Sequence, residues 1–120
     1  MNQHQEIYLK LLRNVDFENF DGIAISEDLE SLGLTIRGFI PVSSFGSLRS
    51  LYRLIGGTLE VDTLLVMVEI YDVHIITRYG KEWGANSITV ISGRELEGAI
   101  GINAWESEEL AVVKLWWDIT

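Results

Sequence analysis

The sequence lacks cysteine and contains only one proline. Without cysteine it forms no disulfide, offers no thiolate nucleophile and gives zinc no thiolate ligand. Its longest apolar run, residues 64–68, is far shorter than the roughly 20 residues that span a membrane. The N-terminus also lacks the basic-then-apolar order of a signal peptide. We therefore expect a cytoplasmic protein without a membrane segment.

Basic residues are scarce. The chain has 9 lysines and arginines against 18 aspartates and glutamates, which gives a net charge of −9 and a pI near 4.5. So acidic a surface repels phosphate groups, which disfavours direct binding to nucleic acid or to an anionic membrane. It attracts a basic protein partner, although the same charge also keeps a small domain soluble.

The 120 residues are 48% hydrophobic and 22% charged, which is typical of a globular chain. No linker, repeat or low-complexity stretch interrupts the sequence. We predict a single domain over residues 1–120.

Apolar residues recur at helical spacing in two places. The first predicts an amphipathic helix over residues 3–13. The second is a helix capped by Ser43 or Ser44 and closed by Gly56-Gly57, with a buried face. That face comprises Phe45, Leu48, Leu51, Tyr52 and Ile55. Between the two helices, a brief strand at residues 23–25 precedes a short helix that Ser26 caps and Gly33 ends.

Strand signals dominate the rest of the chain. Residues 34–40 alternate, and residues 66–70, 73–79 and 87–92 are rich in Val, Ile and Thr. A terminal hairpin with a four-residue loop at 106–109 completes the pattern. The predicted fold class is α+β, with an antiparallel sheet of five to six strands packed against two main helices.

Two adjacent tryptophans end the last strand, so their rings point to opposite faces. The hairpin register, with Trp105 opposite Leu110, places Trp117 on an apolar core face. Trp116 then lies on the other face with Lys114 and Trp105. That face either presents Trp116 as an aromatic binding residue or is covered by the N-terminal helix.

Catalytic signals are weak. His74 with Asp72 is an incomplete metal-ligand pair, and no nucleophile elbow or phosphate-loop spacing occurs. We predict a protein that is not an enzyme and holds no cofactor or metal. Arg37, Arg49 and Arg53 could instead hold an anionic ligand, although ion pairing with the acidic segments of the chain is the simpler use.

Acidic residues are concentrated in two places. Residues 14–36 contain six acids and no base, with Phe17 and Phe20 among them, and the predicted hairpin loop adds three glutamates beside Trp105. Aromatic rings among carboxylates are typical of an interface centre with an acidic rim, although a solvated helix face is also possible. The predicted partner-binding residues are Asp16, Glu18, Asp21, Glu27, Asp28, Glu30, Trp105, Glu106, Glu108, Glu109 and Trp116.

In its size, charge, lack of cysteine and the stretch DFENFDGIAISEDLE, the chain resembles the small acidic immunity proteins that neutralise bacterial toxins, particularly nucleases. The resemblance implies a cytoplasmic, non-catalytic inhibitor that blocks a basic toxin. Two alternatives stay open: a phage-type decoy that imitates nucleic-acid charge, and a small-ligand-binding or enzymatic domain that uses Arg37, Arg49 and Arg53.

Overall fold

The structure is a computed structural model that describes residues 2–119. Helices and strands are mixed along this part of the chain, which confirms the α+β class. Within it the elements are α1 (Gln3–Arg13), β1 (Asp16–Phe17), β2 (Phe20–Asp21), α2 (Gly22–Leu32), β3 (Ile36–Val42), α3 (Ser47–Ile55), β4 (Thr63–Glu69), α4 (Val73–Glu82), β5 (Ser87–Ser92), α5 (Gly93–Ile100), α6 (Ala104–Glu109) and β6 (Leu110–Trp116).

The main sheet has four antiparallel strands in the order β3-β4-β6-β5. The two short strands β1 and β2 form a separate antiparallel hairpin. The prediction of one sheet with five to six strands on two main helices was therefore wrong in detail. Several segments that were predicted to be strands fold as helices. In addition, β1 and β2 are not part of the main sheet.

The hydrophobic core lies on one face of the main sheet. Helices α1 and α4 pack against the sheet, and α2 packs against α1 and adds apolar side chains to the same core. The helix at residues 3–13 is confirmed, with its predicted bounds. Core residues from these elements include Leu9, Leu12, Ile25, Leu29, Leu64, Val66, Ile76, Val113 and Leu115.

Residues 73–79 were predicted to form a strand, and they belong to helix α4. Their β-branched composition favours a strand, but Val73, Ile76, Gly80 and Trp83 recur at helical spacing and turn toward the core. A Cβ at Gly80 would lie only 2.6 Å from a methyl group of Leu115. Close packing of α4 on the sheet therefore outweighs local strand propensity.

The predicted terminal hairpin is not formed. The Asn103 side chain accepts a hydrogen bond from the backbone of Glu106 at 2.9 Å and caps α6, so residues 106–109 are helical. Strand β6 pairs with β4 and β5 instead. Alternation along β6 still holds, because Trp117 is fully buried and Trp116 lies half-buried on the other face of the sheet.

The start of α2 also differs from the prediction. The carboxylate of Asp21 caps the helix, and residues 23–25, predicted as a strand, form its first turn. Ser26 is inside the helix, where its hydroxyl donates to a backbone carbonyl one turn earlier. Gly33 ends α2 with a φ of 51°, as its position predicted.

Helix α3 occurs where the spacing predicted it, but its environment is different. It begins at Ser47 after Gly46, without a cap from Ser43 or Ser44. Its apolar face was predicted to be buried, and this was wrong, because α3 contributes no buried residue to the described structure. Phe45, which precedes α3, is half-buried.

Candidate protein-binding surface

The acidic segment, residues 14–36, begins with the hairpin of β1 and β2. Asp16 lies directly opposite Asp21 in this hairpin, and Glu18 is exposed in its turn. Like charges at opposed positions destabilise a strand pair. The hairpin therefore concentrates three carboxylates at an electrostatic cost to folding.

The rest of the acidic segment lies on α2 and is partly engaged in the fold. Asp28 accepts a hydrogen bond from the indole nitrogen of Trp83 at 2.7 Å, and Glu30 pairs with Arg13 at 2.9 Å. Glu27 is exposed. Asp28 therefore ties α2 to the end of α4, and a change there would disturb the fold as well as the surface charge.

The aromatic residues of the acidic segment do not form an exposed set. Phe20 is fully buried, with its ring edge-on to Trp117 at a centroid distance of 4.7 Å. Phe17 is half-buried against the core. The expectation that these two rings lie among surface carboxylates is wrong for Phe20, because the hairpin turns that ring inward.

A second acidic surface does combine carboxylates with exposed rings. Glu108 and Glu109, at the end of α6, face Glu69 and Tyr71 across a cleft of about 310 Å³. The ring of Tyr71 is 70% exposed, and Trp105, one helical turn before the two glutamates, is 67% exposed. We call this surface the acidic cleft. The cleft is lined by Glu69, Ile70, Tyr71, Glu108 and Glu109, and Trp105 lies beside it on α6, outside the lining.

The two acidic surfaces lie at opposite ends of strand β6. The acidic cleft adjoins Leu110, which pairs with Glu69 at the start of β6. The hairpin is fastened near the other end, where the Asn19 side chain donates to the carbonyl of Asp118 at 2.9 Å. Seven residues at about 3.3 Å each separate these ends by roughly 20 Å. The predicted partner-binding residues therefore do not form one patch.

Trp116 and Trp105 are also apart. Trp116 lies across from Thr63 and Ser87 at the far end of the sheet, while Trp105 lies on α6. The predicted shared face depended on a hairpin that is not formed. Glu106 is half-buried, so Trp105, Glu108 and Glu109 are the exposed members of the predicted set on α6.

The three arginines proposed as an anion site are held by two different carboxylates. Arg37 pairs with Glu69 at 3.3 Å. Arg49 and Arg53 pair with the buried side chain of Glu60 at 3.4 and 3.6 Å. The arginines therefore act as ion-pair partners, as predicted, but Glu60 and Glu69 lie outside the acidic segments that were expected to supply the carboxylates.

Across residues 2–119, no group of three or more His, Asp or Glu side chains is arranged to hold a metal ion. The ring nitrogen Nδ1 of His74 lies 2.9 Å from the carbonyl oxygen of Tyr71, within the same local turn. No helix among the described residues is both long enough and apolar enough to cross a membrane.

No known protein family, curated protein or solved structure matches the chain.

Sequence reasoning missed Glu69, Ile70 and Tyr71. The sequence predicts strands on both sides of residues 71–72, whereas residues 70–72 form a single 3-10 turn that leads into α4. An aromatic residue at a turn beside an acid was the available signal. What the sequence could not show is the approach of this turn to α6, because the two segments are almost 40 positions apart.

Proposed function

We propose that the protein is a non-catalytic inhibitor that binds a basic protein, of the nuclease-toxin kind, through the acidic cleft. The observation that carries this proposal is the exposed Tyr71 among Glu69, Glu108 and Glu109, with the exposed Trp105 one helical turn before the two glutamates on α6. In this proposal the protein is an immunity protein of the bacterial cytoplasm, as its general resemblance implies.

The chemistry of the acidic cleft fits a lysine or arginine side chain. Carboxylates accept charge-assisted hydrogen bonds from a cation, and the face of an aromatic ring attracts the same cation. The apolar stem of a lysine or arginine can lie along Ile70 and Tyr71. Tryptophan and tyrosine are over-represented among residues that dominate binding energy. We therefore assign the main affinity to Trp105 and Tyr71.

The acidic hairpin and α2 have a different role in this proposal. Asp16, Glu18 and Glu27 are exposed, but no fully exposed aromatic ring stands among them. Such charges accelerate the encounter with a basic partner more than they prolong the complex. A nuclease site must be basic to hold phosphates, so an acidic protein is drawn to it.

The exposed rings favour this proposal over a nucleic-acid-mimicking decoy. A decoy works through carboxylates spaced like phosphates, and its binding should fall steeply with salt. An interface centred on Trp105 and Tyr71 should retain part of its affinity in high salt, because burial of apolar surface is not screened.

The test begins with capture of binding proteins from the source organism on the immobilised chain, followed by their identification and purification. Binding kinetics are then measured for wild type, for Trp105→Ala and for the double variant Glu108→Lys/Glu109→Lys. Glu82→Lys is the matched control, because Glu82 is an exposed acid at the opposite end of α4 from Tyr71. A third variant, Asp16→Lys/Glu18→Lys, tests steering.

We expect Trp105→Ala to raise the Kd at least about 30-fold, mainly through faster dissociation. Asp16→Lys/Glu18→Lys should mainly slow association, and Glu82→Lys should have little effect. The captured protein should be basic, and its activity should stop when it is bound. An acidic partner, a partner that stays active, or unchanged binding by the cleft variants would each refute the proposal.

A further inference from the structure

Strand β4 is apolar on both of its faces. Leu64, Val66 and Val68 point into the core. Leu65 and Met67 point to the opposite face of the main sheet, where they are half-buried. An antiparallel strand with one face in water normally alternates apolar and polar residues, and β4 does not. The second face of the sheet is therefore an apolar surface as well.

A groove of about 490 Å³ lies on this second face, and we call it the sheet groove. Its floor is a row of paired residues that crosses the main sheet, Gly38, Met67, Val112 and Ile91. Helices α1 and α5 form its walls. The side chains that these two helices contribute are Gln5, Tyr8, Leu96, Ala99 and Ile100.

Gln5 fastens the α1 wall to β3, which is an edge strand of the sheet. Its Oε1 accepts a hydrogen bond from the backbone N–H of Phe39 at 2.7 Å, and its Nε2 donates to the carbonyl of Phe39 at 3.1 Å. A peptide strand that adds to a sheet needs free backbone groups at the edge. Because Gln5 satisfies both groups of Phe39, this side of the groove is closed to such a strand.

The size of the sheet groove fits a small molecule better than a protein. Twelve residues line it, fewer than the roughly 20–30 that each partner contributes to a stable protein interface. Its volume lies within the range of about 300–1,000 Å³ that is usual for small-molecule sites. Such sites are mostly apolar and carry a few polar groups that orient the ligand.

The chemistry of the lining selects an uncharged ligand. No charged residue lines the groove, although 22% of the chain is charged. A carboxylate or ammonium group placed there would lose water without gaining a counter-charge. Tyr8 supplies a polar group, because its hydroxyl has no hydrogen-bond partner among residues 2–119.

We propose that the sheet groove binds a neutral small molecule that is largely hydrocarbon and carries one hydroxyl or carbonyl group. The hydrocarbon part lies along Met67 and Val112, and the flexible methionine adapts to its shape. The polar group forms a hydrogen bond with the Tyr8 hydroxyl. This site does not depend on the proposed inhibitor function, which uses a different surface.

The test uses the full chain and the neutral probe phenylnaphthylamine, whose fluorescence rises in apolar surroundings. Decanol, decanoate and decylammonium then compete with the probe at neutral pH. These competitors share one chain length and differ only in the charge of the head group. Decanol should displace the probe, and each ion should do so at least about tenfold more weakly.

Variants locate the binding site. Ile40→Gln/Ile100→Gln, at exposed positions of the groove lining, should weaken probe binding at least about tenfold. Tyr8→Phe keeps the ring and should weaken decanol binding about threefold. Leu48→Gln/Leu51→Gln is the matched control, because it changes exposed apolar residues of α3 outside the groove. Decanol should also raise the Tm of wild type and of this control. Circular dichroism checks that every variant is folded.

Four results would overturn the proposal. The first is a wild-type protein that does not bind the probe, and the second is displacement by either ion as strong as displacement by decanol. The third is probe binding that is lost in the α3 control and kept in the groove variant. The fourth is unchanged decanol binding by Tyr8→Phe. A purified protein partner that binds wild type but not the groove variant, and that decanol does not displace, would assign the groove to a protein and also overturn it.

Discussion

Replacing Trp117 with alanine should destabilise the protein by about 5 kcal/mol, at the upper end of the range for aromatic core truncations. The ring is fully buried and meets Phe20 edge-on, a geometry worth about 0.5–1.5 kcal/mol beyond its burial. Its indole nitrogen also donates to the carbonyl of Trp83 at 3.1 Å. Alanine leaves this buried carbonyl without its donor, which adds a further penalty of about 1–3 kcal/mol within that range.

Two companion variants make the measurement decisive. Trp117→Phe keeps most of the ring and loses the indole donor, so it should cost about 1–3 kcal/mol. Trp116→Ala removes a half-buried ring and should cost less than about 2 kcal/mol. Urea unfolding followed by far-ultraviolet circular dichroism gives all three values. Equal losses for Trp116→Ala and Trp117→Ala would refute the reasoning, because both faces of β6 would then be equally packed.

Two further predictions concern the hairpin and the helices. Gly22→Ala should lower the free energy of unfolding by more than about 2 kcal/mol, because its Cβ would lie 1.8 Å from the carbonyl oxygen of Leu12. Gly98→Ala, in open space on α5, should instead raise it by about 0.5–1 kcal/mol. A comparison of melting temperatures tests both, and similar values for the two variants would contradict the close approach of α1 and α2. Asp16→Asn should stabilise by about 0.2–1 kcal/mol at low salt, because it removes the repulsion from Asp21. A loss of stability in the urea titration would mean that the charge of Asp16 has a favourable partner.

Local periodicity was sufficient to predict some helices and strands but not others. The helix at residues 3–13 and strand β3 could be predicted from the sequence, because each packs one apolar face against the core. Strand β3 runs two residues later than predicted and includes Pro41, which lies at the edge of the sheet. Helix α4 was predicted to be a strand because Val and Ile favour strands locally. Its helical form depends on packing against β6.

Local patterns could not show which segments, distant in sequence, pack or pair with one another. Alternation along β6 correctly placed Trp117 in the core, but it could not show that β6 pairs with β4 and β5. The same limit applies to the acidic cleft, which joins the end of β4 to the end of α6. The spacing of α3 predicted its amphipathic character, but it could not show whether anything covers the apolar face.

Several conflicts between local chemistry and folding stability lie on the surface of this protein. The core is apolar and closely packed, whereas Asp16 opposes Asp21, the apolar residues of α3 meet water, and Trp105 and Tyr71 are exposed. Natural sequences retain such conflicts mostly where function requires them. Helix α3 leads into Thr63, which pairs with Trp116 at the end of β6, whereas the acidic cleft adjoins the start of that strand. Because the two features lie at opposite ends of the sheet, Leu48→Gln/Leu51→Gln on α3 should leave the Kd for a basic partner unchanged, and a raised Kd in binding kinetics would contradict this separation.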